Sequence, residues 1–90
     1  MLMKERENKR GTEKQYKNAL KADPNDVATR LNYGNFLSEI GRLKEAEEQY
    51  KLAANADPNF AAAHNNYGVL LERRGQKEEA EKQYNRLSQN

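Results

Sequence analysis

Apolar residues recur along this chain at steps of three and four. One series runs Leu31, Tyr33, Phe36, Leu37 and Ile40, and a second Leu43, Ala46, Tyr50, Ala53 and Ala54. A third runs Phe60, Ala63, Tyr67, Leu70 and Leu71, and a fourth Ala80, Tyr84 and Leu87. An α-helix turns once in about 3.6 residues, so each series predicts a helix with one apolar stripe. No stretch alternates with the two-residue period of a strand. The stops between the series have their own chemistry. Gly41 and Gly75 follow the first and third, and only glycine enters the left-handed conformation cheaply. Asp57-Pro58-Asn59 follows the second, and proline disfavours helical geometry in the residue before it. Asp26 is placed to cap the next helix, its carboxylate accepting from free backbone N–H groups. The expected fold class is all-α.

The series are copies of one another. Lys17-Asn18-Ala19-Leu20-Lys21-Ala22-Asp23-Pro24-Asn25 aligns with Lys51-Leu52-Ala53-Ala54-Asn55-Ala56-Asp57-Pro58-Asn59 at an offset of 34. The same offset relates Tyr16, Tyr50 and Tyr84, and it relates Tyr33 to Tyr67, Gly34 to Gly68, Leu37 to Leu71, Gly41 to Gly75 and Ala46 to Ala80. A fixed period of this length means stacked supersecondary units, here helical hairpins. Gly34 and Gly68 sit in mid-helix, where glycine costs about 1 kcal/mol relative to alanine. That cost predicts close approach of a neighbouring backbone, with Ala46 and Ala80 making room and Tyr50 and Tyr84 filling the space beyond.

The spacing Arg30-x2-Tyr33-Gly34-x2-Leu37, then Ala46-x3-Tyr50, then Pro58 resembles the tetratricopeptide repeat (TPR). That family's pattern is W-x2-L-G-x2-Y, then A-x3-F, then P, over 34 residues. The next copy reads His64-x2-Tyr67-Gly68-x2-Leu71, then Ala80-x3-Tyr84. The resemblance implies a right-handed α-solenoid of antiparallel helix-turn-helix repeats. It divides the chain into a partial repeat at 1–24, a complete repeat at 25–58, and a second at 59–90 that ends in a polar terminal helix. Arg30 and His64 occupy the large tryptophan-type position, an exchange expected to loosen the hairpin or turn a polar tip to solvent.

In the family, the first helix of each repeat lines a concave groove that holds extended peptides or partner helices. The resemblance implies groove positions at Ala28, Leu31, Asn32, Asn35, Ser38 and Glu39, then at Ala62, Asn65, Asn66, Val69, Glu72 and Arg73. Asn32, Asn35, Asn65 and Asn66 are the candidate peptide-holding residues, because an amide both donates and accepts. Leu31 and Val69 would add apolar contact, and Glu39 and Arg73 charge. Family members that capture chaperone C-terminal carboxylates use Lys and Arg beside Asn. The matching positions here are Leu31, Ala62 and Asn66, and only Asn32 fits, which argues against that subclass. The implied function is a non-enzymatic protein–protein interaction module.

The beginning of the chain departs from the pattern. Thr12 stands where Ala46 and Ala80 stand, and Glu7 where Gly41 and Gly75 stand. The first helix of the first repeat is therefore missing or vestigial, and its second helix is expected at about 12–22. One flank of its Tyr16, Ala19 and Leu20 stripe then lacks a partner. Leu2 and Met3 fold back over it, or a second chain covers it, or residues 2–22 form one long helix that pairs with another chain. Self-association through Tyr16, Ala19, Leu20, Leu2 and Met3 is thus an alternative function, that of a homo-oligomeric assembly unit. The half-repeat also points to a fragment or engineered truncation of a longer array.

Composition narrows the remaining classes. Ninety residues, 33% of them charged, allow one small domain. No run approaches the roughly 20 apolar residues of a membrane span. The start turns charged at Lys4, leaving no apolar stretch for a secretory signal, and cysteine is absent; a cytoplasmic location is expected. The net charge of +2 is uneven: residues 1–22 carry seven basic against three acidic side chains, or +4, leaving −2 for the rest. A third reading is electrostatic binding of nucleic acid or an anionic membrane through residues 4–21. The tyrosines argue against it, since they occupy packing positions instead of flanking the basic residues as stacking platforms. His64 is the one histidine, so a metal site at matched spacing is not expected. Glu47 with Lys51, and Glu78 with Lys82, have the i, i+4 order of surface pairs. No catalytic residue, cofactor or metal is expected.

Overall fold

The computed structural model describes residues 2–75 and 82–86, with side chains from residue 8 onward. Ala80, Leu87 and Glu78 lie outside the described residues, as do the side chains of Leu2 and Met3. Four helices follow in order: α1 (Leu2–Ala22), α2 (Val27–Glu39), α3 (Leu43–Ala56) and α4 (Ala61–Arg73). Residues 82–86 are helical again. The described residues contain no strand.

The stops act as their chemistry requires. Asp26 caps α2, accepting from the Thr29 N–H at 3.4 Å and from the Thr29 hydroxyl at 2.8 Å. The hydroxyl bond also holds the Asp26 carboxyl below its ordinary pKa. Gly41 and Gly75 take φ of 84° and 79°, the left-handed turn that ends α2 and α4. In both Asp-Pro-Asn loops the aspartate accepts from the backbone N–H two residues on, at 3.1 Å, forming an Asx turn.

α2 and α3 form the best-packed hairpin, and α4 lies beside them. Leu37, Leu70 and Leu71 are fully buried, joined by Tyr33, Ala46, Tyr50 and Tyr67 in one cluster. Ala53, Ala54 and Ala63 form a second cluster where α3 meets α4. The glycines serve a different neighbour from the one expected. A Cβ on Gly34 would meet the Tyr50 ring at 2.6 Å, and one on Gly68 the Tyr84 ring at 2.8 Å. A tyrosine ring lies over each bare helix turn, in place of the backbone that sequence spacing predicts.

α1 docks on α2 through aromatic contacts. The Tyr16 ring stacks on Tyr33 with centroids 5.4 Å apart and tilts against Phe36 at 5.8 Å. The helix runs unbroken through Gly11, starting well before residue 12. Leu2 is therefore about 21 Å along the axis from Tyr16, at 1.5 Å per residue. Leu2 and Met3 do not fold back over Tyr16 and Leu20, because a continuous helix carries them away. At equivalent positions α1 is also more polar than α3. Lys9, Thr12 and Ala19 stand where α3 has Leu43, Ala46 and Ala53, and Ala19 is exposed where Ala53 is fully buried.

Candidate functional site

The neighbouring first helices, α2 and α4, line a shallow depression of about 270 Å³. Asn35, Glu39, Asn66, Val69 and Arg73 line it, together with Ser38 and Tyr50. Each helix contributes positions spaced by three or four, so one face of each turns toward the depression. The centre is a hydrogen-bonded amide pair. Asn66 donates from Nδ2 to Asn35 Oδ1 at 3.0 Å, and the Tyr50 hydroxyl donates to the same oxygen. Tyr50 comes from α3, behind the groove, and is buried; burial pushes its hydroxyl up to about 12. Arg73 donates to Ser38 Oγ at 3.0 Å, tying the far ends of α2 and α4 together. Val69 is 43% exposed and gives the depression an apolar contact.

Other sequence-predicted site residues lie elsewhere. Asn32 and Asn65 are exposed outside the depression. Leu31 is half-buried against both apolar clusters, so its side chain is occupied by packing and does not line the groove. The basic side chains Lys9, Arg10, Lys14, Lys17 and Lys21 are all exposed on α1, and the adjacent Tyr16 is stacked inward. Among the described residues no group of three or more His, Cys, Asp or Glu is arranged to hold a metal. No helix of the described residues is long and apolar enough to cross a membrane.

Two polar devices join the helices that carry the groove. In the first, a carboxylate on one hairpin grips the next. Glu13 on α1 takes a bidentate pair from Arg42, both contacts at 2.9 Å, and a 2.6 Å bond from the Tyr33 hydroxyl. The guanidinium and the phenol hold the Glu13 carboxyl at about 2, and burial, with the hydrogen bond to the carboxylate, pushes the Tyr33 phenol upward. Glu47, 34 residues on, repeats this with Tyr67 at 3.2 Å and with Arg74. Lys51 also lies 3.5 Å from Glu47, as the i, i+4 spacing predicts.

The second device ties each first helix to the loop before it and to its own second helix. Arg30 donates to the Pro24 carbonyl at 3.1 Å and to the Gln49 side chain at 2.9 Å. His64, with 3% exposure, donates from Nε2 to the Pro58 carbonyl at 2.7 Å and sets Nδ1 3.0 Å from the Gln83 amide. The two arrangements are equivalent at the 34-residue offset. Sequence reasoning missed Gln49, Gln83, Glu13 and Tyr50 as partners. The offset itself held the signal, since Gln49 with Gln83 and Glu13 with Glu47 obey it.

A tetratricopeptide-repeat family model matches residues 10–65, and a second such model matches residues 50–82. The chain belongs to the tetratricopeptide repeat family. Its fold is accordingly a helical solenoid, and solved TPR structures superpose on it. YrrB, described as a TPR protein with an unusual peptide-binding site, is 26% identical with a TM-score of 0.79 over 91% of this chain and 42% of its own. MamA from AMB-1 is 26% identical with a TM-score of 0.75, over 82% of this chain and 40% of its own. MamA from MSR-1 is 27% identical with a TM-score of 0.72, over 78% and 40%. This TPR chain thus spans about two fifths of the length of these structures. No curated protein sequence matches it.

Within the family pattern, Arg30 and His64 replace the large aromatic residue without loosening the hairpin. Each exchanges apolar filling for two hydrogen bonds to fixed partners. For the buried His64, breaking either bond leaves a polar group unpaired; Arg30 is half-buried and its bond to the Pro24 carbonyl is exposed.

Proposed function

We propose that this TPR chain is a non-enzymatic protein-interaction module whose groove holds an extended peptide. One observation carries the reading: Asn35 and Asn66, from successive repeats, meet at the floor of a shallow depression with the exposed Val69 beside them. An extended peptide needs polar groups for its main chain and an apolar patch for a side chain, and both are there. The similarity to YrrB, a TPR protein with a peptide-binding site, supports the same reading. The charges of Glu39 and Arg73 oppose each other, so no net field selects an anion or a cation.

The test is selection of peptides on the full chain from a random displayed library, followed by calorimetric titration. Binding should fall by about three- to tenfold in Asn66→Ala, the loss of one neutral hydrogen bond. It should persist as salt rises, since few charges are neutralised. Recovery of no peptide, or equal binding by Asn66→Ala, contradicts the reading.

A further inference from the structure

We propose that Tyr50 is the positioning residue of this groove: its hydroxyl holds the Asn35 amide against Asn66, so that the pair offers one donor and one acceptor to the main chain of an extended ligand. The inference deepens the peptide-holding reading and rests on it.

The reasoning is a count of lone pairs and protons. A side-chain amide oxygen accepts two hydrogen bonds. Asn35 Oδ1 receives one from the Tyr50 hydroxyl and one from Asn66 Nδ2, so it is saturated. Asn35 Nδ2 then faces away from both donors and gives its protons to no described group. Among the described residues no buried side-chain nitrogen or oxygen lacks a partner, so this nitrogen is open to solvent. Asn66 has used one N–H on Asn35, and its own Oδ1 accepts from no described group. Among the described residues the pair therefore has one donor and one acceptor without a partner. In an extended chain the N–H and C=O of one residue point to the same side, so one residue of the ligand satisfies both. A carboxylate has no proton for Asn66 Oδ1, and an ammonium has no acceptor for Asn35 Nδ2.

Tyr50 reaches the groove because Gly34 has no side chain. The ring edge lies where a Cβ would sit, at 2.6 Å, and this lets a residue of α3 touch the floor between α2 and α4. The arrangement occurs once in the two repeats, since the position 34 residues after Asn35 is Val69. One repeat supplies the oriented amide and the next supplies the apolar contact.

Side-chain amide NMR on the full chain tests this, comparing it with Tyr50→Phe, which keeps the ring over Gly34. The probe is N-acetylglycine N-methylamide, a minimal extended main chain, with acetate and methylammonium as the charged alternatives. Without probe, the Asn66 Nδ2 protons should exchange slowly and those of Asn35 rapidly. Tyr50→Phe should speed Asn66 exchange about three- to tenfold and leave backbone exchange in α2 and α4 unchanged. Rapid exchange at both amides, or Asn66 exchange unmoved by Tyr50→Phe, overturns the positioning role. With the probe, both side-chain resonances should shift, and Tyr50→Phe should weaken binding about three- to tenfold. Equal binding by the two chains overturns the role of Tyr50 and leaves the peptide reading standing. Shifts with acetate or methylammonium alone, or with none of the three, overturn the ligand class and the peptide reading, while the probe-free exchange still decides the orientation of Asn35.

Discussion

Alanine at Gly34 pits helix propensity against packing, and the structure says packing wins. The new Cβ would lie 2.6 Å from Tyr50 Cε1 and 2.7 Å from Cδ1. Carbon atoms in ordinary contact sit about 3.5–4.0 Å apart, so the ring must retreat by roughly 1 Å. It has little room, since Tyr50 is 3% exposed and its hydroxyl is held by Asn35. Forcing a methyl-sized group into a filled site costs about 1–3 kcal/mol. Displacing the hydroxyl from Asn35 adds about 1 kcal/mol. Alanine returns about 1 kcal/mol as the better helix former. The net loss is about 1–3 kcal/mol, or about 4–24 °C in Tm for a domain of this size. Thermal and urea unfolding followed by circular dichroism measure it. Gly11→Ala is the matched control, because a Cβ there meets nothing within 4 Å; it should raise stability by up to about 1 kcal/mol. Replacing the ring by Tyr50→Leu should shrink the cost of Gly34→Ala, a coupling that a double-mutant cycle reads directly. A Gly34→Ala chain as stable as the parent would refute the packing argument.

The ion clusters and the buried histidine make further predictions. Glu13 has a depressed carboxyl pKa, so its contribution is complete above its unfolded value of 4.5 and is lost as pH falls toward about 2. Urea midpoints between pH 5 and pH 2 should therefore drop more steeply in the parent than in Glu13→Gln, and parallel curves would count against the Arg42 and Tyr33 pairing. His64→Leu leaves the Pro58 carbonyl and the buried Gln83 without their partner, and should cost about 1–3 kcal/mol in urea unfolding despite the added apolar volume. Sedimentation equilibrium should return a constant 10.4 kDa, because α1 carries Lys9 and Thr12 where α3 has Leu43 and Ala46. A mass that rises with concentration would favour self-association through Tyr16, Ala19 and Leu20.

The helices were legible because their apolar stripes and stops are local. The three-and-four spacing of Leu31 to Ile40, the Asp26 cap and the left-handed Gly41 each follow from a few neighbouring residues. The groove positions came from the family resemblance, and five of the residues it named, Asn35, Glu39, Asn66, Val69 and Arg73, line one depression. Periodicity does not reveal which amide bonds to which, so Asn32 and Asn65 looked equivalent to the pair that meets. Leu31, which the resemblance put in the groove, packs half-buried against the apolar clusters of α3 and α4. Arg30 and His64 looked like defects in a pattern built on an aromatic residue. Their partners, Gln49 and Gln83, lie 19 residues away and carry no local sign of the bond.

The most direct measurement is the location of a bound peptide. A peptide selected on the full chain, titrated into the isotopically labelled protein, reports its footprint by backbone and side-chain shifts. Shifts centred on Asn35, Asn66, Val69 and Arg73, little changed by added salt, are the predicted result. Shifts centred on the basic face of α1, from Lys9 to Lys21, with affinity falling steeply in salt, would contradict it.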